Sequence, residues 1–403
     1  MFIGNGVYEK LNASIQRLDQ WLDNNGWAGY DPYDIKELKW VRKLTYIGNK
    51  NPLYEVVRET VFELFYTFPH FSRKIFRVKP RINAKAIALF SKSYLDLYKI
   101  SMEKSYLNKS EYCLNWLLEN KITKYRGIAW GYPFDWQTTE LIPKYTPNGI
   151  VTTAAGDAFW SWYQFTKEDK YLKTCEEICK FLISLPIDRI EKNQLCFSYT
   201  PVFINHVHNL NLFVAEFLIK IGKETGNDKW ILLGTKAVNY TISNQLDNGA
   251  FDYNGPPEKS RNFSDNYHTG FVLRMLHSIW ELTGNQKVLN SLTKCYEHYI
   301  NNFFEEEKIP KLLPNRKYRI DIHSCAESIN CLSQLSGTFP EGLKIAENVA
   351  KWTIDNLQSP EGYFYYGFIK SRFIRKPFLS KIPYIRWGQA WMLKGLTNLL
   401  LNA

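Results

Sequence analysis

Three short segments repeat one design: Phe165-Thr166-Lys167-Glu168-Asp169-Lys170-Tyr171, Glu224-Thr225-Gly226-Asn227-Asp228-Lys229-Trp230 and Leu282-Thr283-Gly284-Asn285-Gln286-Lys287-Val288. Each joins two stretches of helical periodicity. Gly226 and Gly284 suit the left-handed residue that ends a helix, and the Asn or Asp that follows suits the cap of the next. Leu335 to Glu341 is a looser version. The flanking stretches alternate in kind. Ala154–Gln164, Leu210–Ile221, Thr269–Trp280 and Ala326–Leu335 are mostly apolar with small residues, whereas Tyr171–Leu185, Lys229–Ser243, Val288–Phe304 and Gly342–Leu357 are one-sided and more charged. A helix apolar all round is buried, and a one-sided helix lies outside. The chain therefore reads as inner helix, tight turn, outer helix, long loop, repeated.

Inner helices are expected to start near Asn83, Asp157, His208, Asn266, Asp321 and Arg386, a period of about 50–70 residues that means a solenoid or a closed ring. Six pairs close into an all-α (α/α)6 toroid, with Glu55–Tyr66 as the outer helix before Asn83 and Arg386–Leu401 as the last inner one. No Pro/Gly/Ser linker divides residues 1–403, so a single domain is expected, with 1–54 as an N-terminal helix and lid-like segment packed on the ring. The long loops, Lys121–Thr152, Pro186–Val207, Gln245–Ser264 and Gln358–Tyr384, all precede inner helices and should gather on one rim. Helix N-termini converging on that mouth favour an anionic or hydroxyl-rich ligand.

Aromatics support a ligand cleft. The chain has 13 Trp, 26 Tyr and 25 Phe, more flat surface than one core requires. The net charge of +11 favours anionic partners, among them an acidic glycan. No helix-turn-helix, finger or RNA-recognition motif is present, so no nucleic-acid partner is expected. The strip 370–381 mixes cations with aromatics; it reads either as a solvated loop or as a grip for an anionic ligand or membrane surface. Seven cysteines, odd in number and without a CxxC pair, read as buried free thiols. With no secretory pattern within Met1–Gln20 and no apolar stretch of about 18 residues, a cytoplasmic location is expected.

Two loop entries share a spacing. Gln245-Leu-Asp-Asn-Gly249-Ala-Phe251 and Gln358-Ser-Pro-Glu-Gly362-Tyr-Phe364 both read Q-x-x-x-G-x-F. This resembles the Q-x-x-x-G-x-W motif of squalene and terpenoid cyclases, which are α/α toroids; there the Gln ties an outer helix to the next turn. The cyclase D-x-D-D acid motif is absent. The segments Ser264–Gly270, Asp321–Ala326 and Pro383–Trp391 resemble toroid proteins of bacterial surface-polysaccharide pathways. They are similar in layout to N-acylglucosamine 2-epimerases, glucuronyl C5-epimerase C-terminal domains and unsaturated glucuronyl hydrolases. That resemblance implies glycan chemistry without fixing the reaction.

The candidate chemistry sits at the inner-helix starts. Asp265 and His268 are three residues apart at one of them, so both can face the mouth. Asp321 and His323 lie where loop becomes helix. Acid and imidazole side by side can orient and tune each other for proton transfer, although Asp265 serves equally as a helix cap. His208, His268 and His323 fall at equivalent points of three successive repeats. Asp135, a further acid, lies among Trp130, Tyr132, Phe134 and Trp136, rings of the kind that stack on sugar faces. Asp157, His208, Asn266, Arg386 and Trp387 are expected to bind substrate, as are Tyr33 and Asp34 in the aromatic–acid turn Trp27–Asp34. No metal and no cofactor is expected; the Asp/Cys/His zinc spacing of protein prenyltransferases is not reproduced. Three functions compete: an enzyme (hydrolase, lyase or epimerase) acting on a sugar or acidic glycan, including a lipid-linked one; a glycan-binding or assembly protein; and an isoprenoid-handling toroid.

Overall fold

The computed structural model describes residues 5–258 and 264–402, so the end of the expected Gln245–Ser264 loop, 259–263, lies outside the described residues. Six helices form an inner ring: α5 (Ala84–Ser101), α7 (Gly149–Thr166), α9 (His208–Thr225), α11 (Asn266–Thr283), α13 (Ile322–Gln334) and α15 (Trp391–Leu401). Each packs on the next, and α15 returns to α5, which closes the toroid. Outside them stand α6 (Lys104–Glu119), α8 (Asp169–Leu182), α10 (Asp228–Ser243), α12 (Gln286–Asn302) and α14 (Glu341–Leu357). The sixth outer place is taken by α1 (Asn5–Asn25), which packs against α14 and α15. Its buried stripe Val7, Leu11, Ile15, Leu18 and Leu22 has the period of one helix face.

This corrects two expectations. The helix spanning Glu55–Tyr66 is not an outer helix. It belongs to α3 (Pro52–Thr67), which with α2 (Lys39–Gly48) and α4 (Pro69–Ile75) lies in the chain connection from α1 to α5 and packs around its own small core of Ile35, Val41 and Phe65. Nor does Asp157 open a helix. Asn148 caps α7 by accepting from the Val151 amide, 2.9 Å away, and Asp157 lies mid-helix. The last inner helix begins with a π-helical segment, Ile385–Ala390, before α15.

The tight turns are built as their residues dictate. Gly226 and Gly284 are left-handed (φ +70° and +64°), and Asn227 and Asn285 cap the helices that follow. The two Q-x-x-x-G-x-F segments tie successive outer helices. Gln245 Nε2 donates to the Gly249 and Ser291 carbonyls, both at 2.9 Å, joining α10 to α12. Gln358 Nε2 donates to Gly362 O at 2.8 Å and Ser14 O at 2.9 Å, joining α14 to α1. Gly249 (φ +84°) and Gly362 (φ +105°) lie so close to the Lys294 and Arg17 carbonyls that no Cβ fits. Phe251 and Phe364 are buried beneath them. The same device on α1 confirms that α1 holds an outer place. The connections into inner helices are the long ones, and several carry short antiparallel hairpins, including Ile187–Glu191 with Gln194–Phe197 and Gly367–Ser371 with Ile374–Ser380. All open on the rim at the inner-helix N-termini.

Candidate functional site

At that rim a cavity of about 490 Å³ opens over the ring axis. Its floor follows a rule of register. Counted from each cap, the second residue of every inner helix lines it: Lys85, Ile150, Asn209, Tyr267, His323 and, on the π-segment, Arg386. Side chains there point along the axis toward the helix start, into the shared space. The loops add aromatic walls. Tyr132 stacks on Phe134 with centroids 5.3 Å apart, and Trp387 meets Tyr33, Tyr267 and His323 at 5.9, 5.6 and 4.8 Å.

One acid–imidazole couple stands on the wall. Asp265 caps α11, its Oδ1 accepting from the His268 amide at 2.9 Å, and its Oδ2 lies 2.8 Å from His268 Nδ1. The carboxylate thus places the ring proton on Nδ1 and leaves Nε2 as the basic nitrogen. Tyr253 packs edge-on against His268 at 4.8 Å. His323 is different in kind. It is sandwiched between Tyr267 (4.4 Å) and Trp391 (5.3 Å), and neither ring nitrogen has a hydrogen-bond partner in the described chain. Burial first, and then the nearby charges of Lys85 and Arg386, hold it well below the usual imidazole range, so it is neutral. Asn209 Oδ1 and Trp387 Nε1 are likewise buried and unpartnered.

The cations differ too. Arg386 is anchored by Asp31, with Nε 2.6 Å and Nη2 2.9 Å from its two oxygens. Arg274, below the floor, is held by Glu327 at 2.6 Å. Lys85 has no acid partner among the described residues; its ammonium lies over the rings of Phe271 and Trp391, 5.3 and 5.1 Å from their centroids. It also occupies the first turn of α5, where the helix dipole disfavours a cation. Burial, then the Arg386 charge, pushes it well below the usual lysine range.

The structure brings Tyr33, Tyr132, Trp136, Asp265, His268, His323, Arg386 and Trp387 to the cavity. The other expected site residues lie off its lining. Asp135 is paired with Arg42 at 3.0 Å and accepts from the Lys144 amide at 2.8 Å. Trp130 is buried, with its indole donating to Leu117 O at 2.9 Å. Asp157 is bound by Lys220 at 2.8 Å, and Asp34 by Arg73 at 2.7 Å. Asn266 Oδ1 accepts from the Tyr299 and Ser328 hydroxyls, at 3.0 and 3.1 Å, inside the wall. Asp321 caps α13 by accepting from the Ser324 amide at 2.8 Å, and burial raises its carboxyl above the usual range. His208 is the first residue of α9 rather than the second or third. It turns away to pack against Tyr240 (5.6 Å) and Phe251 (5.8 Å), and burial lowers it to about 4. Sequence reasoning missed Lys85, Asn209 and Tyr267. Aligning the inner helices by their caps would have found them.

No family model matches the chain, and no curated protein matches its sequence. Solved structures match its shape. A GH76 alpha-mannanase of Bacteroides thetaiotaomicron superposes with a TM-score of 0.59 at 11% identity, over 78% of this chain and 86% of that one. An unsaturated glucuronyl hydrolase specific for heparin gives 0.57 at 13% identity, over 78% and 85%. Cellobiose 2-epimerase from Bacillus thermoamylovorans gives 0.57 at 11%, over 78% and 87%. The chain therefore has the (α/α)6 toroid fold of carbohydrate-active hydrolases and epimerases. At such identities the likeness carries the fold alone.

Proposed function

We propose that the protein is an enzyme that moves a proton on an acidic sugar, acting as a lyase or an epimerase on a uronate-bearing glycan. The observation that carries this is that one cavity holds on its floor a lysine with no acid partner among the described residues, Lys85, and on its wall an acid-oriented imidazole, His268. A uronate carboxylate set against Lys85 and Arg386 would have its negative charge neutralised, which acidifies the adjacent carbon–hydrogen bond. His268 Nε2 would take that proton, with Asp265 stabilising the imidazolium that forms. His323, neutral and without a partner among the described residues, is available to hold a hydroxyl. Both β-elimination and epimerisation begin with that abstraction. The unpartnered polar atoms of His323, Asn209 and Trp387 suit a hydroxyl-rich ligand. Hydrolysis by paired carboxylates draws less support: Asp265 is the single carboxylate on the described lining. The polar floor also disfavours an isoprenoid.

We read the working substrate as a glycan in lipid-linked form, met at a membrane through the strip 370–381. The test of the cavity reading is steady-state turnover of uronate-containing and neutral oligosaccharides by wild type, Lys85→Met and His268→Ala. Lys85→Met is expected to raise KM for the uronate substrate about tenfold or more, and His268→Ala to abolish turnover with the fold intact. Equal handling of neutral and acidic substrates would contradict the assignment of Lys85. Binding without turnover by wild type would leave a glycan-binding protein.

A further inference from the structure

The cavity leaves one face of the molecule unused. Leu53, Val57 and Leu64 share one side of α3, Phe71 and Ile75 one side of α4, and Phe68 lies at the break between the two helices; all are exposed. Leu53 is 78% accessible, Phe71 65% and Ile75 54%. An apolar stripe normally turns inward; here the buried side of the layer is Phe65 against Ile35 and Val41, and the stripe faces out.

The charge of the chain gathers at the same place. Residues 39–79 contain nine Lys/Arg and three Glu, and residues 367–381 contain five Lys/Arg and no acid. Out of 51 Lys/Arg and 40 Asp/Glu in all, the remainder of the chain keeps 37 of each, so the excess of +11 falls in these two segments; of their cations, Arg42 and the buried Arg73 are paired with Asp135 and Asp34 outside the segments, and the others supply the charge of the face. They touch. The Thr67 and Ser371 hydroxyls are 2.6 Å apart, and the Arg372 amide donates to Glu63 at 3.1 Å. Lys370, Arg372, Phe373, Arg375 and Lys376 are exposed on the hairpin. Both segments sit in connections that lead into inner helices, hence on the rim of the cavity.

We propose that this face docks on a membrane surface of anionic headgroups, with the α3–α4 stripe entering the interface and the hairpin cations meeting the phosphates. A second copy of the chain would bring the same cations against one another, so charge favours lipid as the occupant. The docking would hold the cavity mouth beside the bilayer; it rests on the reading of the strip 370–381 as a membrane contact and is independent of the reaction assigned to the cavity.

Co-sedimentation of the full chain with phosphatidylcholine vesicles, with and without phosphatidylglycerol, tests it. Wild type should bind the anionic vesicles, more weakly as salt rises. Lys370→Glu/Lys376→Glu should weaken that binding roughly tenfold or more, and Phe71→Ser/Ile75→Ser should weaken it at every salt concentration. All four sites are exposed, and circular dichroism checks that the variants are folded. Equal affinity for neutral and anionic vesicles, or none for either, overturns the proposal. So does a wild-type dimer, seen by light scattering, that the Phe71/Ile75 variant dissociates, since a second copy would then cover the face.

Discussion

Removing Asp31 should cost far more than its place in a loop turn suggests. Its carboxylate and the Arg386 guanidinium are both buried, at 6% and 5% side-chain exposure, and they meet through two hydrogen bonds of 2.6 and 2.9 Å. The Tyr33 amide donates to the same carboxylate at 3.1 Å. The pair fastens the turn after α1 to the start of the last inner helix and fixes one of the six floor residues. Asp31→Ala strands a buried guanidinium, which typically costs about 3–5 kcal/mol. A Coulomb estimate at about 4 Å and an effective dielectric of about 20 gives about 4 kcal/mol, in agreement. That is a large fraction of a total stability of roughly 5–15 kcal/mol. Urea unfolding followed by far-UV circular dichroism measures it. The double variant Asp31→Ala/Arg386→Met, which strands no charge, should be more stable than Asp31→Ala alone. A loss under about 1 kcal/mol for Asp31→Ala, or a double variant no better than the single, would refute the reasoning that this buried pair locks the floor.

Gly362→Ala must fit a Cβ against the Arg17 carbonyl at φ +105°, so it should destabilise by more than the roughly 1 kcal/mol expected of Gly226→Ala, which has open space around it; thermal melts of the two variants compare them. His208, lowered to about 4 by burial, refuses a proton that the unfolded chain takes up below about pH 6.5. Wild type should therefore lose stability from this residue as pH falls from about 6.5 to about 4, by about 3 kcal/mol in all. Urea midpoints of His208→Leu should lack that part of the slope, and parallel slopes would count against it. Asp265→Ala removes a helix cap as well as the partner of His268, so it should cost about 1 kcal/mol of stability in addition to activity, whereas His268→Ala should affect activity far more than stability.

The ring was legible because its signals are local. The repeated Gly-Asn turns, the alternation of all-apolar with one-sided helices and the Q-x-x-x-G-x-F ties each follow from a few neighbouring residues. The outer place of α1 was not legible, since an exposed stripe such as that of α3 and a buried one such as that of α1 have the same period. Asp157 looked like a helix start after Gly156, but that glycine serves close packing against Phe217 of the next inner helix. The histidines show how fine the register is. His208, His323 and His268 stand first, second and third after their caps, and about 100° of rotation per residue separates a cavity wall from an outward face. Lys85 was overlooked because a single lysine in an apolar helix reads as one whose stem is buried and whose head reaches water; only the closed ring shows it facing a shared cavity.

Deuterium wash-in bears on the account most directly. In D2O, with a uronate-containing oligosaccharide, the enzyme is expected to place deuterium on the carbon next to the carboxylate, in recovered substrate or epimerised product, or to release a β-eliminated product. His268→Ala should stop all of these. Cleavage of the glycosidic bond with solvent oxygen at the anomeric carbon and no exchange at that neighbouring carbon would contradict proton abstraction by His268.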